Sequence, residues 1–152
     1  MKSTEHILND LENHIVLFNK LNTGVSDSSI GWHIEHSLKV INQIAIVLEK
    51  SNPKEYNWKF NFWRIVIMTS KKIPRGRAKA PKTVVPEGII TIETLQQSLE
   101  KARVNLKKTE TFDSNTHFLH PYFGVLNLRP TQAFLAIHTN HHLKIIKDIA
   151  KN

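Results

Sequence analysis

Cysteine is absent from this chain of 152 residues. Without a thiol, the chain has no disulfide framework, no Cys-ligated zinc or iron–sulfur cluster and no cysteine nucleophile. Glycine and proline are also scarce, with 5 and 6 residues, which excludes collagen-like and low-complexity chains. Because the length fits one domain that can bury a sizeable core, we expect a single globular domain over residues 1–152.

The chain lacks any apolar run near the roughly 18 residues that a membrane-spanning helix needs. Its first ten residues, MKSTEHILND, are polar and charged. We therefore expect a cytoplasmic protein with no membrane partner.

Acidic residues are fewer than basic ones, since 13 Asp and Glu face 21 Lys and Arg for a net charge of +8. A cluster of cations without any anion occupies residues 71–82. Its members are Lys71, Lys72, Arg75, Arg77, Lys79 and Lys82. This cluster predicts a solvated loop, a lid over an anionic thiol cofactor or a phosphate contact. Because no zinc-finger or RNA-binding motif accompanies it, nucleic acid is not expected as a partner.

Apolar residues at helical spacing predict four long amphipathic helices. They cover residues 4–22, 29–50, 91–108 and a last segment from 127–130 to about 150. Segment 60–73 suits a buried strand or a short helix, and we predict a helix because no other segment offers a partner strand. Proline and glycine make 73–90 a long loop, and 109–126 is expected to be an irregular connection. The fold class is therefore predicted to be all-α.

The nine histidines are the most informative residues of the chain. In the last predicted helix, His138 and His142 lie about 40° apart in the middle of the apolar stripe, with His141 on its flank. A buried imidazole needs a polar partner, because an unsatisfied polar group in the core costs roughly 1–3 kcal/mol. One divalent metal ion satisfies two rings that lie one turn apart, and two separate hydrogen-bond partners are the alternative.

A third ligand is expected from another helix, and the segment SIGWHIEHSLKVIN offers His33 and His36. Helical periodicity places His33 nearer the centre of the apolar stripe, so it mildly favours His33. The first turn of a helix often departs from ideal geometry, and both residues stay candidates on this argument.

The segment 29–37 and the spacing His138-x-x-His141-His142 resemble the DinB-like superfamily of metal-binding four-helix bundles. The stretches FNFWRIVIMTSKKIPRGRAKAPKTVVP and HPYFGVLN look like one branch of it, whose function is uncharacterised. The resemblance implies a four-helix bundle in an up-down-down-up arrangement, with a short extra helix, a long basic loop and a homodimeric assembly. By position, it implies His36, His138 and His142 as the metal ligands and leaves His33 to line the pocket.

Relatives of known activity in that superfamily are metal-dependent transferases that use thiols such as bacillithiol or mycothiol. The resemblance thus implies a divalent metal, such as zinc, nickel or manganese, a low-molecular-weight thiol and a small-molecule substrate. An open three-histidine site suits this chemistry, because it lowers the pKa of a bound water or thiol. No Asp or Glu lies at the centre of a predicted stripe, so His141 is the candidate proton acceptor, and the alternative is a histidine that merely lies at the boundary of the stripe. A metal-dependent hydrolase acting on a small molecule is the other enzymatic possibility. The alternative outside the enzymes is a non-catalytic binding or stress-response bundle with a relic metal site.

Overall fold

The computed structural model describes residues 4–76 and 80–151, which form five α-helices and one two-stranded sheet. The helices are α1 (Thr4–Glu12), α2 (Ile30–Lys50), α3 (Phe62–Ser70), α4 (Ile92–Thr109) and α5 (Leu128–Lys151). The strands are β1 (His117–His120) and β2 (Gly124–Asn127), and short 3-10 turns cover Ile15–Leu17, Pro53–Glu55 and Lys82–Val84. A mainly helical fold is thereby confirmed. Within these described ranges, no helix combines the length and the apolar character that a membrane span requires.

Two of the predicted helices begin where side chains can cap them. The Ser29 hydroxyl accepts a hydrogen bond from the Trp32 amide at the start of α2. Before α4, Thr91 and Thr94 bond each other's backbone amides in a reciprocal capping box. Because the first amides of a helix lack intrahelical partners, these side chains fix both starting points.

The first helix is shorter than the predicted range 4–22, since α1 ends at Glu12. The His14 ring bonds the Asp10 carbonyl at 2.6 Å and so satisfies a carbonyl of the last turn. The 3-10 turn that follows keeps Ile15 buried while Val16 is 72% exposed. The change of direction therefore preserves the core contact of Ile15 without continuing the α-helix.

The hydrophobic core lies among four helices. Helix α2 packs against α4 and α5, and α1 packs against the same two helices. The largest fully buried side chains are Ile7, Leu8, Leu11, Ile30, Ile34, Leu38, Ile41, Leu48, Leu95, Leu126, Leu135 and Leu143. These side chains come from the helices that the sequence predicts, together with Leu126 from the sheet.

Glycine is required where α2 begins. The Gly31 amide donates to the Phe18 carbonyl at 2.8 Å, so the two backbones approach closely. A Cβ atom at Gly31 would lie 3.0 Å from that carbonyl oxygen and 3.2 Å from Ile90 Cγ2. Any larger residue would push the first turn of α2, which carries the histidines, away from the 3-10 turn.

The expectation of an irregular connection over 109–126 is wrong, because a short hairpin forms there within the mainly helical fold. Strands β1 and β2 pair antiparallel, with Phe118 opposite Leu126. Phe118 and Leu126 are buried, whereas Leu119 is 73% exposed, so the hairpin has one apolar face against the core. The buried Arg64 of α3 donates to the Val125 carbonyl at 3.1 Å, which holds α3 against this hairpin.

Two of the cations in the predicted basic loop, Arg77 and Lys79, lie outside the described residues. The described part of the loop begins with Lys71, which ends α3 in the left-handed conformation at φ 55°. It also contains the 3-10 turn Lys82–Val84, whose last residue accepts a hydrogen bond from His36 of α2.

Candidate metal centre

Three imidazoles from α2 and α5 converge in the structure and form the histidine triad, His36, His138 and His142. One ring nitrogen from each residue lies within 4.8 Å of the other two. Ring centroids are 4.7 Å apart for His36 and His142 and for His138 and His142, and 5.2 Å apart for His36 and His138. Around a tetrahedral zinc ion such nitrogens would be about 3.4 Å apart, so binding one ion would draw the rings closer together.

Hydrogen bonding orients the His36 ring. Its Nδ1 lies 2.9 Å from the Val84 carbonyl and donates to it, because a carbonyl can only accept. The Trp32 ring stacks on the same imidazole at 5.0 Å, with an angle of 13° between the planes. This arrangement fixes the tautomer with an unprotonated Nε2, which is the nitrogen left to bind a metal.

His33 supports His142 and is not a member of the triad. The Nδ1 atoms of the two rings lie 3.0 Å apart, and His33 Nε2 lies 2.9 Å from the Ser26 hydroxyl. If His142 binds a metal through Nε2, its Nδ1 proton is donated to His33, and His33 donates from Nε2 to Ser26. Every nitrogen of the two rings then has a partner.

The His138 ring differs, because its buried Nδ1 has no hydrogen-bond partner among the described residues. Leaving a buried imidazole nitrogen unpaired costs roughly 1–3 kcal/mol. A metal ion bound at this nitrogen would give it the polar partner that the described residues do not supply.

Burial keeps these histidines neutral. It lowers the pKa of His36 from its usual 6.5, and it lowers the pKa of His138 and His142 well below that value. Repulsion from neighbouring imidazoles acts in the same direction on His138 and His142. Because metals bind the unprotonated ring, no proton has to be removed before binding at neutral pH.

The triad opens into the large cavity, a space of about 940 Å³. Helix α2 contributes Val40 and Ile44 to its wall, α3 contributes Trp63 and Ile67, and the hairpin contributes Phe118. A cavity of this size and apolar character is typical of small-molecule sites, which range over about 300–1,000 Å³. Because the three triad residues line this cavity, a substrate in it would lie next to an ion bound by the triad.

His141 lies at the rim, where it lines the large cavity but does not belong to the triad. Burial and then the nearby positive charge of Arg75 lower its pKa to about 4, although a hydrogen bond to the Ile73 backbone opposes the shift. The ring is therefore neutral at pH 7, with one nitrogen bonded to the Ile73 backbone. Its role as proton acceptor stays a prediction.

The structure thus brings together the three ligands that the resemblance implies, and it places His33 and His141 beside them. Two groups that orient the histidines are not predicted by the sequence. They are the Val84 carbonyl, which bonds His36, and the Ser26 hydroxyl, which bonds His33. A backbone carbonyl leaves no mark on residue identity, and one serine in a polar turn is not distinctive. The aromatic residues of the segment HPYFG are the feature of the sequence that could have indicated the cavity wall, because Tyr122 and Phe123 line the cavity.

Comparison of the chain with family models, with curated proteins and with solved structures finds no match.

Proposed function

We propose that this protein binds one divalent metal ion through His36, His138 and His142, within a DinB-like four-helix bundle. The observation that carries the proposal is the convergence of three neutral donor nitrogens within 4.8 Å. The unpaired Nδ1 of His138 supports it, because no hydrogen bond from the described residues satisfies that nitrogen. The packing of α2 and α1 against both α4 and α5 supports the bundle. A homodimeric assembly and a cytoplasmic location stay predictions.

We propose further that the protein is a metal-dependent transferase that uses a low-molecular-weight thiol on a small-molecule substrate. When bound, a divalent ion would supply Lewis acidity and would lower the pKa of a bound thiol or water, which gives a nucleophile near neutral pH. The chain supplies orientation, since Val84 and His33 hold two of the triad rings. The apolar wall of the large cavity contacts the substrate, and His141 accepts the proton of the thiol at the ring nitrogen that does not bond the Ile73 backbone.

A non-catalytic binding protein is the second candidate. The observation that favours it is the lining of the large cavity, in which the described residues include no Asp or Glu. Carboxylates commonly supply general acid–base catalysis, so their absence leaves only imidazoles for proton transfer. Incubation of the metal-loaded protein with a thiol and an electrophile separates the candidates, because only the transferase forms the thioether faster than a metal-free control.

Metal analysis tests the proposed site directly. Protein purified without chelator and incubated with zinc, nickel or manganese should retain about one ion per chain after desalting. His142→Ala should lose most of this ion, because a three-ligand site loses an anchor. His141→Ala is the matched control, since it removes the adjacent imidazole of the same helix and should leave the metal content unchanged.

Circular dichroism of the same samples shows whether the variants keep their helices. We expect both to remain helical, because the apolar stripes of α2 and α5 supply most of the burial. The assigned ligand set would be refuted if the wild-type protein retained no metal after incubation. It would also be refuted if His141→Ala and His142→Ala lost the same amount of metal.

A further inference from the structure

A second and smaller cavity, the basic pocket, lies beside the large cavity and has a volume of about 160 Å³. It is lined by Lys71, Lys72, Ile73, Arg75, Ile137, Asn140, His141 and Lys144. Four of these residues are cationic and none is acidic. The end of α3, the segment after it and one face of α5 therefore enclose a space that attracts anions.

Most of this positive charge is not neutralised by the protein. Arg75 pairs with Asp148 at 2.7 Å. No ion pair involves Lys71, Lys72 or Lys144 in residues 4–76 and 80–151. Three ammonium groups thus remain around one pocket. Ammonium groups bind carboxylates, sulfonates and phosphates through charge-assisted hydrogen bonds, and the Asn140 amide adds an uncharged donor.

The backbone supports this arrangement at Lys71. A φ of 55° is uncommon for a residue with a side chain, because the left-handed conformation brings Cβ close to the following carbonyl oxygen. Here it ends α3, with the Lys71 amide bonded to the Ile67 carbonyl at 2.8 Å. The sharp turn brings the two lysines that follow α3 to the pocket wall, opposite Lys144 of α5.

The two cavities adjoin, because Ile73 and His141 line both. The large cavity is mostly apolar and leaves aromatic surface uncovered, with Trp63 63% and Tyr122 52% exposed. Exposed aromatic side chains that surround a cavity mark a place where apolar surface is buried on binding. An occupant of both spaces must therefore be apolar at one end and negatively charged at the other.

We propose that the ligand of this protein is an amphipathic organic anion. Its aromatic or aliphatic body occupies the large cavity against the triad, and its carboxylate, sulfonate or phosphate group occupies the basic pocket. The contact with a metal rests on the proposed function. The two-part recognition does not, because the apolar wall and the lysines are present whether or not a metal is bound.

A matched set of probes separates charge from apolar contact. Calorimetric titration would compare 2-naphthoate and 2-naphthyl phosphate with the neutral alcohol 2-naphthalenemethanol, each with zinc-loaded and with chelated protein. We expect at least one anion to bind about tenfold more tightly than the alcohol in both forms of the protein. The better anion tells whether the pocket prefers a carboxylate or a phosphate.

The variant Lys72→Gln/Lys144→Gln tests the basic pocket, and Lys54→Gln/Lys101→Gln is its control. Both variants remove two exposed positive charges, but only the first removes them from the pocket. We expect the first variant to lose the preference for the anion, with an anion Kd about tenfold weaker and an alcohol Kd within twofold. The control should change neither constant by more than twofold.

The variant Trp63→Ala tests the apolar wall, and Trp58→Ala is its control. Both tryptophans are more than half exposed, but only Trp63 lines the large cavity. We expect Trp63→Ala to weaken the binding of the anion and of the alcohol by the same factor. Trp58→Ala should change the binding of neither probe.

Equal affinities for anion and alcohol, or no binding by any probe, would overturn the proposal. The proposal would also be overturned if the protein preferred the anion only when zinc is bound and kept this preference in Lys72→Gln/Lys144→Gln. The metal would then be the anion site. If the probes bind as expected but the protein takes up no metal, the metal proposal is refuted. The proposal of an amphipathic anion as the ligand is then still supported.

Discussion

At the scale of single residues, His33 acts on the candidate site through another ring. It lies between His142 Nδ1 and the Ser26 hydroxyl, and it is 4% exposed. In many metal sites a carboxylate or a carbonyl accepts the second proton of a ligating histidine. Here a neutral imidazole takes that place, since burial lowers the pKa of His33 to about 4. His33 is therefore a positioning residue.

Substitution of His33 should weaken metal binding without abolishing it. We expect His33→Ala to raise the metal Kd about 10–100-fold, because the tautomer and orientation of His142 are no longer fixed. Competition with a chelator of known affinity measures this change. His33→Asn is the conservative partner, because its amide oxygen can accept from His142, and it should recover part of the loss. If His33→Ala removes metal as completely as His142→Ala, His33 is itself a ligand.

The sequence predicted the members of the site only in part. Spacing alone placed His138 and His142 on the core-facing stripe, because their positions are set by one regular helix. Helical spacing favoured His33 over His36 as the ligand from α2. The structure shows why the angular position around the helix axis does not distinguish the two residues. Both rings are buried on neighbouring faces of the same turn, and the loop carbonyl of Val84 and the ring of Trp32 fix the direction of His36.

At the scale of elements, the hairpin depends on the histidine at its turn. His120 Nδ1 accepts hydrogen bonds from the amides of Tyr122 and Phe123, at 3.1 Å and 3.2 Å. The ring also stacks on Phe123 with centroids 4.1 Å apart. An imidazole that accepts two bonds at Nδ1 must be unprotonated there, so the turn is built for neutral His120.

Acid should therefore destabilise this turn. Burial lowers the pKa of His120 from 6.5 to about 4 in the folded protein. Between these values the unfolded chain binds a proton that the folded chain does not, so the free energy of unfolding falls as the pH drops from 6.5 toward 4. Urea unfolding of chelated protein at several pH values measures this slope.

Two substitutions isolate the contribution of His120. His120→Asn keeps an acceptor for the two amides but does not titrate, so we expect a smaller loss of stability between pH 6.5 and 4 than in the wild type. His120→Ala leaves the amides unpaired and should lower the free energy of unfolding by about 1 kcal/mol even at pH 7.5. An identical acid slope in wild type and His120→Asn would contradict this role.

The elements were predictable where the pattern is long and were missed where it is short. The stripes of α2, α4 and α5 extend over several turns, so their helical period is clear from the sequence. Each strand has only four residues, so alternation is too brief to distinguish from a loop. Burial of Phe118 and Leu126 against the helices stabilises the hairpin, and this is a tertiary effect.

At the scale of the whole molecule, the candidate ion joins distant parts of the chain. His36 belongs to α2, whereas His138 and His142 belong to α5, the last helix. The loop that supplies the Val84 carbonyl packs over the same point. A bound ion would therefore link two helices of the core and one long connection, and it would hold them in the arrangement that the large cavity requires.

Metal binding should consequently stabilise the entire fold. An ion present at about 100 times its Kd adds about 2.7 kcal/mol to the free energy of unfolding if the unfolded chain does not bind it. For a chain of this size, that corresponds to a rise of about 5–10 °C in Tm. Calorimetry of chelated and zinc-loaded protein measures the shift. His142→Ala should show none, whereas His141→Ala should keep it, because only the first variant removes a link between α5 and α2. A zinc-induced shift that persists in His142→Ala would place the stabilising ion elsewhere.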